Sequence, residues 1–402
     1  MARGDGPLAG MKVIDLSHVM AGPTCALMLA DMGADVIKVE KVPGGDDARR
    51  LAPPYIEDEA AAFLVMNRNK RSLAVDLKHD QGRAVVRRLI QDADVLIENY
   101  RRGTMDRLGL GYEDLRKDNP GLIYCSISGF GRTGPYADRG GFDLIAQGMS
   151  GLMTITGEGP GRPPCKVGAP ISDVTAGILA AMGVAGAYAH KLKTGEGQRV
   201  ETSLFEAAIV HTYWQSAITF ATGQSPGPLG SAHPLSAPYQ AFETADGWMT
   251  VGAVNQKNWL RLLEVLEEPA IADDPRFADN QGRMTHLADL EAALAPLFKR
   301  RTTDDWLARL EAVGLPAGPV FDIARMHQDV HALAREMIID VPHARLGTTR
   351  GIGMPVKFSE TPAKTDQGAP LYGQHTRDVL TEHGYSPSEI DALIAAGAVI
   401  AA

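Results

Sequence analysis

The first third of the chain alternates between short apolar runs and helical patterns, and that alternation limits the folds open to it. Val13–Leu16 reads as a strand. Gly22-Pro23 opens a helix, with proline in the first turn where its missing N–H costs nothing, and the helix stops at Gly33. Val36–Glu40 and Leu73–Leu77 read as strands. Gln81–Ala93 predicts an amphipathic helix that buries Val85, Val86, Leu89 and Ile90 and turns Arg83, Arg87 and Arg88 outward. Val95–Glu98 and Leu122–Ser128 are further strands. Strands separated by helices must pair in parallel, so the pattern predicts an α/β fold with a doubly wound, mostly parallel, Rossmann-like sheet.

The middle of the chain changes character. Of the 43 glycines among 402 residues, eleven fall in residues 129–168, where average usage gives about three. They keep no three-residue period, so a collagen-like chain is excluded. An apolar helix follows at Asp173–Leu192, read as buried because it is apolar nearly all round. A strand at Arg199–Ser203 and one long helix at Leu204–Ala221 come next. Gly223–Gly230 reads as a linker or lid. Tyr239–Thr244 and Trp248–Ala253 flank Ala245-Asp246-Gly247, a hairpin signal. Helices containing Trp259–Leu266, Leu287–Phe298 and Asp304–Ala312 then suggest a smaller α/β domain. The tail holds a Gly/Pro-rich turn region at Gly347–Pro355 and helices near His375–His383 and Ser388–Ala395. The expected organisation is a large domain over residues 1–225, a small domain over 226–330, and a segment 331–402 returning to the large one.

Composition excludes several functions. Forty Lys+Arg against 49 Asp+Glu leave a formal charge of −9, which speaks against a general nucleic-acid binder. No signal peptide is visible at the N-terminus, and the apolar stretch Ile178–Ala189 is too short for a bilayer, which takes about 20 apolar residues. Cys25, Cys125 and Cys165 cannot make a disulfide framework. These features predict a cytoplasmic protein without nucleic-acid or membrane partners.

Several motifs fail. The turn after the first strand, His18–Pro23, offers only Gly22, so the dinucleotide fingerprint is absent despite Glu40 at the end of the second strand. His327 and His331 are spaced to share a helix face, but Gln328 stands where a zinc protease carries glutamate. Ser150 in GMSGL lacks the second glycine of a nucleophile elbow. What remains is Asp173 in APISDVTAG, at the first turn of the apolar helix. Either Asp173 or Ser172 caps the helix, or Asp173 is a nucleophile kept ionised by the positive helix end. The preceding glycines would let a bulky substrate approach it. Arg68, Lys70 and Arg71, with Arg101, Arg102 and Arg107, and Lys38 and Lys41 around Glu40, form basic clusters. Near strand ends they suit a phosphorylated ligand.

Ordered segments along nearly the whole chain carry a resemblance. They are KVIDLSHVMAGPTCALMLADMGADVIKVEK (12–41), NRNKRSLAVDL (67–77), DVLIENYRRGTMDRLGL (94–110), ISGFGRTGPYADRGGFDLIAQGMSGLMTITG (127–157), KVGAPISDVTAG (166–177), KTGEGQRVETSLFEA (193–207) and LYGQHTRDVL (371–380). With them the chain resembles the class III CoA-transferases of the CaiB/BaiF family. The resemblance implies transfer of CoA from an acyl-CoA to a free carboxylic acid, such as a short dicarboxylate, with Asp173 as nucleophile. The intermediates would be aspartyl anhydrides and an aspartyl-CoA thioester. It implies CoA contacts from Val19, Met20, Ala21, Lys41, Val75, Asp76, Lys78, Asn99, Tyr100, Arg101, Arg107, Gly140, Gly141, Phe142 and Asp143. It implies no permanent cofactor and no metal, only CoA thioesters as substrates, and an interlocked homodimer. Two alternatives share the fold: an α-methylacyl-CoA epimerase and a non-catalytic CoA-binding protein. Related racemases carry a proton-shuttling histidine in a GHD motif, which here reads Gly141-Phe142-Asp143, with no base at that position. The lid Gly223–Pro238 has only scattered glycines, unlike the consecutive run of the formyl-CoA:oxalate enzyme.

Overall fold

The computed structural model describes residues 6–402. Its main sheet is parallel and doubly wound, as the alternation predicts. The strands are β1 (Lys12–Asp15), β2 (Asp35–Lys41), β3 (Lys70–Val75), β4 (Val95–Glu98), β5 (Ile123–Ser128) and β6 (Arg199–Ser203). They lie in the order β3-β2-β1-β4-β5-β6, and a short strand, Val399–Ile400, adds antiparallel to the outer edge of β3. The register puts Val13 of β1 opposite Val36 of β2 and Val95 of β4. Helices cover the strands, which explains their near-continuous apolar runs.

Four helices concern the sheet and the site. Helix α1 (Ala21–Asp31) starts directly after the β1 loop. Helix α2 (Asp80–Gln91) buries Val85, Val86, Leu89 and Ile90, the face its periodicity marks. Helix α3 (Asp143–Met149) follows the first glycines of the glycine-rich segment. Helix α4 (Ile171–Thr194) packs through Ser172, Ala176, Gly177, Ala180, Ala181, Val184 and Ala187. Its approach to α1 is closed to any side chain at Gly177, where a Cβ would lie 2.6 Å from the Ala21 carbonyl oxygen and from Thr24 Cβ.

Two expectations about α4 need correction. At 24 residues it is long and apolar enough to cross a membrane by length and composition, so the length argument made from Ile178–Ala189 fails. Nor is it buried all round. Val174, Ile178 and Met182, one turn apart, are 36%, 46% and 66% exposed. The helix shows a small-residue face to α1 and leaves this apolar stripe exposed among the described residues.

The chain divides into two compact units. One comprises residues 1–150, 167–211 and 330–402, and the other 151–166 and 212–329. The long helix expected at Leu204–Ala221 is broken. Helix α5 (Leu204–Ile209) gives way to a 3₁₀ turn, Val210–Thr212, and then to α6 (Tyr213–Thr222). β-Branched Ile209, Val210 and Thr212, poor helix formers, cluster at the break. The second unit has a three-stranded antiparallel sheet and a core built around Trp259, Phe298 and Trp306. In the first unit, the turn region expected at Gly347–Pro355 is instead half of a hairpin, Ile338–His343 paired with Gly347–Ile352. His327 and His331 share no helix, because Ile323–Met326 and Val330–Ala334 are separate short turns.

The α1–α4 contact yields a prediction with an unusual sign. Glycine-to-alanine changes inside exposed helices usually stabilise. Gly177→Ala should destabilise by about 1–3 kcal/mol, because the new methyl overlaps the Ala21 carbonyl. Denaturant unfolding measures this, and a gain in stability would refute the close packing.

Candidate active site

Beneath the site lies a cluster of buried charge. Asp15, Lys38, Asp46 and Lys70 are all fully buried. Lys38 Nζ is 2.7 Å from Asp46 Oδ2 and 3.8 Å from Asp15 Oδ2, while Lys70 Nζ is 3.3 Å from the same Asp15 oxygen. Burial disfavours charge on each. Even so, Lys38 and the hydrogen bonds around it hold Asp46 well below the usual carboxylate range. Asp15 and Asp46 likewise keep Lys38 above its ordinary value. Lys70 is drawn down to about 8 by burial, partly offset by Asp15.

These charges position the loop that follows β1. Lys38 donates to the Ser17 carbonyl at 3.0 Å and Lys70 to the Pro23 carbonyl at 2.9 Å. Asp15 Oδ1 accepts from the Ser17 backbone and hydroxyl. Asn99 brackets His18, accepting its N–H and donating to its carbonyl, both at 2.9 Å. Val19 N–H donates to Asp46 Oδ1 at 3.0 Å, and Val19 sits at φ +65°. A β-branched residue in that region is strained, and such strain persists only where the surroundings over-determine it. Gly22 lets the loop fold back, since a Cβ there would lie 2.1 Å from Ser17 Cβ.

The loop walls a cavity of about 250 Å³ lined by His18, Val19, Met20, Ala21, Asn99, Ile127, Ser128, Gly129, Gly141, Phe142, Asp173 and Leu204. Asp173 is not a helix cap. Pro170 holds the cap position of α4 and no side chain caps it there. The Ser172 N–H is taken instead by Asp143 Oδ1 at 2.9 Å, reaching over from α3, and Asp143 Oδ2 accepts from Gln147 Nε2 at 2.8 Å. The half-buried Asp173 carboxyl has its pKa raised to about 6 by burial and by the Asp143 carboxylate. The pKa thus moves up, against the direction the helix end alone would give. Its dipole is outweighed, leaving a carboxylate still mostly charged at neutral pH and more basic than an ordinary aspartate.

A second cavity, of about 200 Å³, shares Asn99, Ser128, Gly129, Gly141 and Phe142 with the first and adds Tyr100, Arg101, Arg102, Arg132, Ala137, Asp138, Arg139 and Gly140. Gly129 and Gly141 build the shared wall. A Cβ on Gly129 would lie 2.7 Å from Gly141 Cα, and one on Gly141 would lie 2.5 Å from Gly129 Cα. At these two glycines backbone packs directly on backbone, whereas Gly151, Gly157, Gly159 and Gly161 belong to the other unit.

The cavities thus gather Val19, Met20, Ala21, Asn99, Tyr100, Arg101, Gly140, Gly141, Phe142 and Asp173. Lys41, Val75, Asp76, Lys78, Arg107 and Asp143 line neither. Lys41 ends β2 opposite Val75 of β3, so both stand at the carboxyl edge of the sheet. The Lys41 ammonium is 2.6 Å from Asp47 Oδ1, and Arg107 Nη2 donates to Thr104 Oγ1 at 3.0 Å. The Val75 side chain is wholly in the core. Asp76 Oδ1 accepts the Lys78 N–H at 2.8 Å. The basic cluster at NRNKRS is structural: Arg68 pairs with Asp31, Lys70 with Asp15, and Arg71 with Asp35 and Glu382. Glu40 is likewise committed, to Arg49 at 2.7 Å and Ser72 at 2.7 Å. His18, Ser128 and Gly129 escape the residue-by-residue reading, although the rule that ligands sit beyond strand ends points at all three.

The chain matches the family described as CoA-transferase family III over residues 8–376. It belongs to that family. A succinate–glutarate CoA-transferase of Agrobacterium fabrum is 42% identical over 383 residues, covering 94% of this chain and 95% of the relative. A succinyl-CoA:glutarate CoA-transferase of Homo sapiens is 35% identical over 395 residues, covering 98% and 90%. The crystal structure of a CaiB/BaiF family protein from Brucella suis superimposes with a TM-score of 0.85 at 40% identity, covering 94% of this chain and all of that one. This chain is therefore a CoA-transferase that works on CoA thioesters.

The pairing of Asp143 with Asp173 can be tested by titration. Asp143→Asn keeps an acceptor for the Ser172 N–H and removes the charge that helps raise the Asp173 pKa. The ionised fraction of Asp173 is lost as pH falls through about 6. In the variant that midpoint should move toward the ordinary aspartate value of about 4. Carbon-13 NMR titration of the Asp173 carboxyl reads the shift, and an unchanged midpoint would remove Asp143 as a cause.

Proposed function

We propose that this CoA-transferase moves CoA from a short dicarboxylyl-CoA, such as succinyl-CoA, to a second short dicarboxylic acid. The observation that carries the reading is Asp173: a half-buried carboxylate with a raised pKa, facing a cavity whose wall mixes apolar side chains such as Met20, Phe142 and Leu204 with the small residues Ala21, Ser128, Gly129 and Gly141. The dicarboxylate assignment is supported by relatives named for succinate and glutarate.

In the proposed sequence the Asp173 carboxylate attacks the donor thioester carbonyl. This forms an acyl–aspartyl anhydride and releases CoA thiolate. The thiolate attacks the aspartyl carbonyl, giving an Asp173–CoA thioester and free donor acid. The acceptor carboxylate attacks this thioester, and the thiolate then attacks the acceptor acyl group of the new anhydride, freeing Asp173. A nucleophile with a raised pKa suits the first step, since it is more basic yet still ionised near neutrality. Backbone N–H groups of the Ser128–Gly129 and Gly140–Phe142 segments are the candidate donors to the developing oxyanion. No resident cofactor or metal enters these steps.

The loop Val19–Ala21 and residues Asn99–Arg101 and Gly140–Asp143 are assigned to the thioester end of CoA. Lys41, Val75 (by its backbone), Asp76, Lys78 and Arg107, along the carboxyl edge of the sheet, are assigned to the remainder. The assembly is proposed as an interlocked homodimer in the cytoplasm. The exposed stripe Val174, Ile178 and Met182 supports a partner chain, and the three free cysteines suit a reducing compartment. Phe142, in place of a basic residue, weighs against racemisation.

A matrix of acyl-CoA donors and acids, read by mass spectrometry of the acyl-CoA products, tests the reading. Succinyl-CoA with glutarate should turn over, and Asp173→Asn should lower kcat about a thousand-fold or more. Full activity in that variant would refute the assigned nucleophile. Deuterium entering Cα of a branched acyl-CoA without an acceptor acid would favour epimerisation instead.

A further inference from the structure

The second cavity is crowded with guanidinium groups in a chain of net charge −9. Two of the four are committed. Arg132 is paired with the buried Glu98, and Arg102 lies 3.4 Å from Asp138. Arg101 and Arg139 have no ion pair among the described residues. Arg101 already falls to CoA in the proposed function, and its guanidinium lies 3.5 Å from where a Gly140 Cβ would stand. Arg139 has no assignment. Its Cζ lies 4.0 Å over the centroid of the Tyr136 ring. That cation–π contact holds the guanidinium over the ring, and no ion pair among the described residues takes its N–H groups, which suit an anionic partner. Two positions on, Gly141 stands in the wall shared with the Asp173 cavity.

We propose that Arg139 is a specificity residue that receives the distal carboxylate of the dicarboxylate while the proximal carboxyl reacts at Asp173. The inference rests on the dicarboxylate reading above and adds the residue that enforces it. A monocarboxylate of equal carbon count would leave the arginine without its partner, so the site would select diacids by an ion pair made only with them. Position supports this use of the cavity. It is contiguous with the one holding Asp173, and its about 200 Å³ leaves room for a short acyl tail rather than a long one.

The test compares glutarate with pentanoate, which replaces the distal carboxylate by a methyl group. Each is measured as acceptor with whichever acyl-CoA supports turnover. In a ping-pong scheme kcat/KM for the acceptor depends only on the second half-reaction, so donor effects drop out of the ratio. Wild-type enzyme should prefer glutarate. Arg139→Gln should reduce the glutarate-to-pentanoate ratio by about ten-fold or more, and Arg139→Lys should restore part of it. The affinity for CoA itself, measured by calorimetry, should change less than about two-fold. An unchanged ratio in Arg139→Gln overturns the inference. So does a weakened CoA affinity with the ratio intact, which would assign Arg139 to the cofactor's phosphates. A wild-type enzyme that prefers pentanoate, or transfers to neither acid, overturns the dicarboxylate reading and this inference with it.

Discussion

The site depends on the buried alliance of Asp15, Lys38, Asp46 and Lys70. Two acids and two bases sealed under a loop form a costly arrangement, because each charge loses its hydration and is repaid only by close, well-aligned partners. Here the partners include the loop itself: the Ser17 and Pro23 carbonyls and the Val19 N–H all bind to the cluster. The result is a turn that hydrophobic packing alone would not hold, with valine at positive φ. Removing one member would strand the others, so the loop and the sheet edge beneath it are fixed as a unit.

On that fixed floor the Asp173 carboxyl meets an environment at odds with simple helix electrostatics. A helix N-terminus favours an anion, yet Asp143 already uses the free Ser172 N–H and adds its own negative charge. Asp173 is left with burial and a like charge, both of which favour its protonated form. One acid thus satisfies the helix so that the other need not. The arrangement keeps the Asp173 carboxylate basic and, among the described residues, free of hydrogen bonds that would blunt it.

Much of the fold was legible because its signals are local. The strands from Val13 to Ser128 are covered on both faces and read as apolar runs, and the face of α2 is visible in the spacing of Val85, Val86, Leu89 and Ile90. What was missed depends on distant partners. Lysines and arginines ordinarily lie at the surface, so nothing local to Lys38, Arg68 or Lys70 announces that Asp15, Asp31 and Asp46 await them in the interior. The break between α5 and α6 interrupts an unchanging apolar pattern. The exposed stripe of α4 could not be told from a buried one, because composition does not say which neighbours are present. Asp173 could be singled out by its place at a loop–helix junction. That it does not cap the helix depends on Asp143, thirty positions earlier in sequence and adjacent only in the fold.

The central claim is that the Asp173 carboxylate becomes covalently part of the transfer, and isotope flow tests it most directly. With an acceptor acid labelled with oxygen-18 in its carboxylate, the second anhydride carries a labelled bridging oxygen, which remains on Asp173 when CoA thiolate departs with the acceptor acyl group. After turnover, the peptide containing Asp173 should hold oxygen-18, and on the next cycle the label should pass into the released donor acid. Direct attack of the acceptor on the donor thioester would send label to the donor acid while leaving every peptide of the protein unlabelled, and that result would contradict the account.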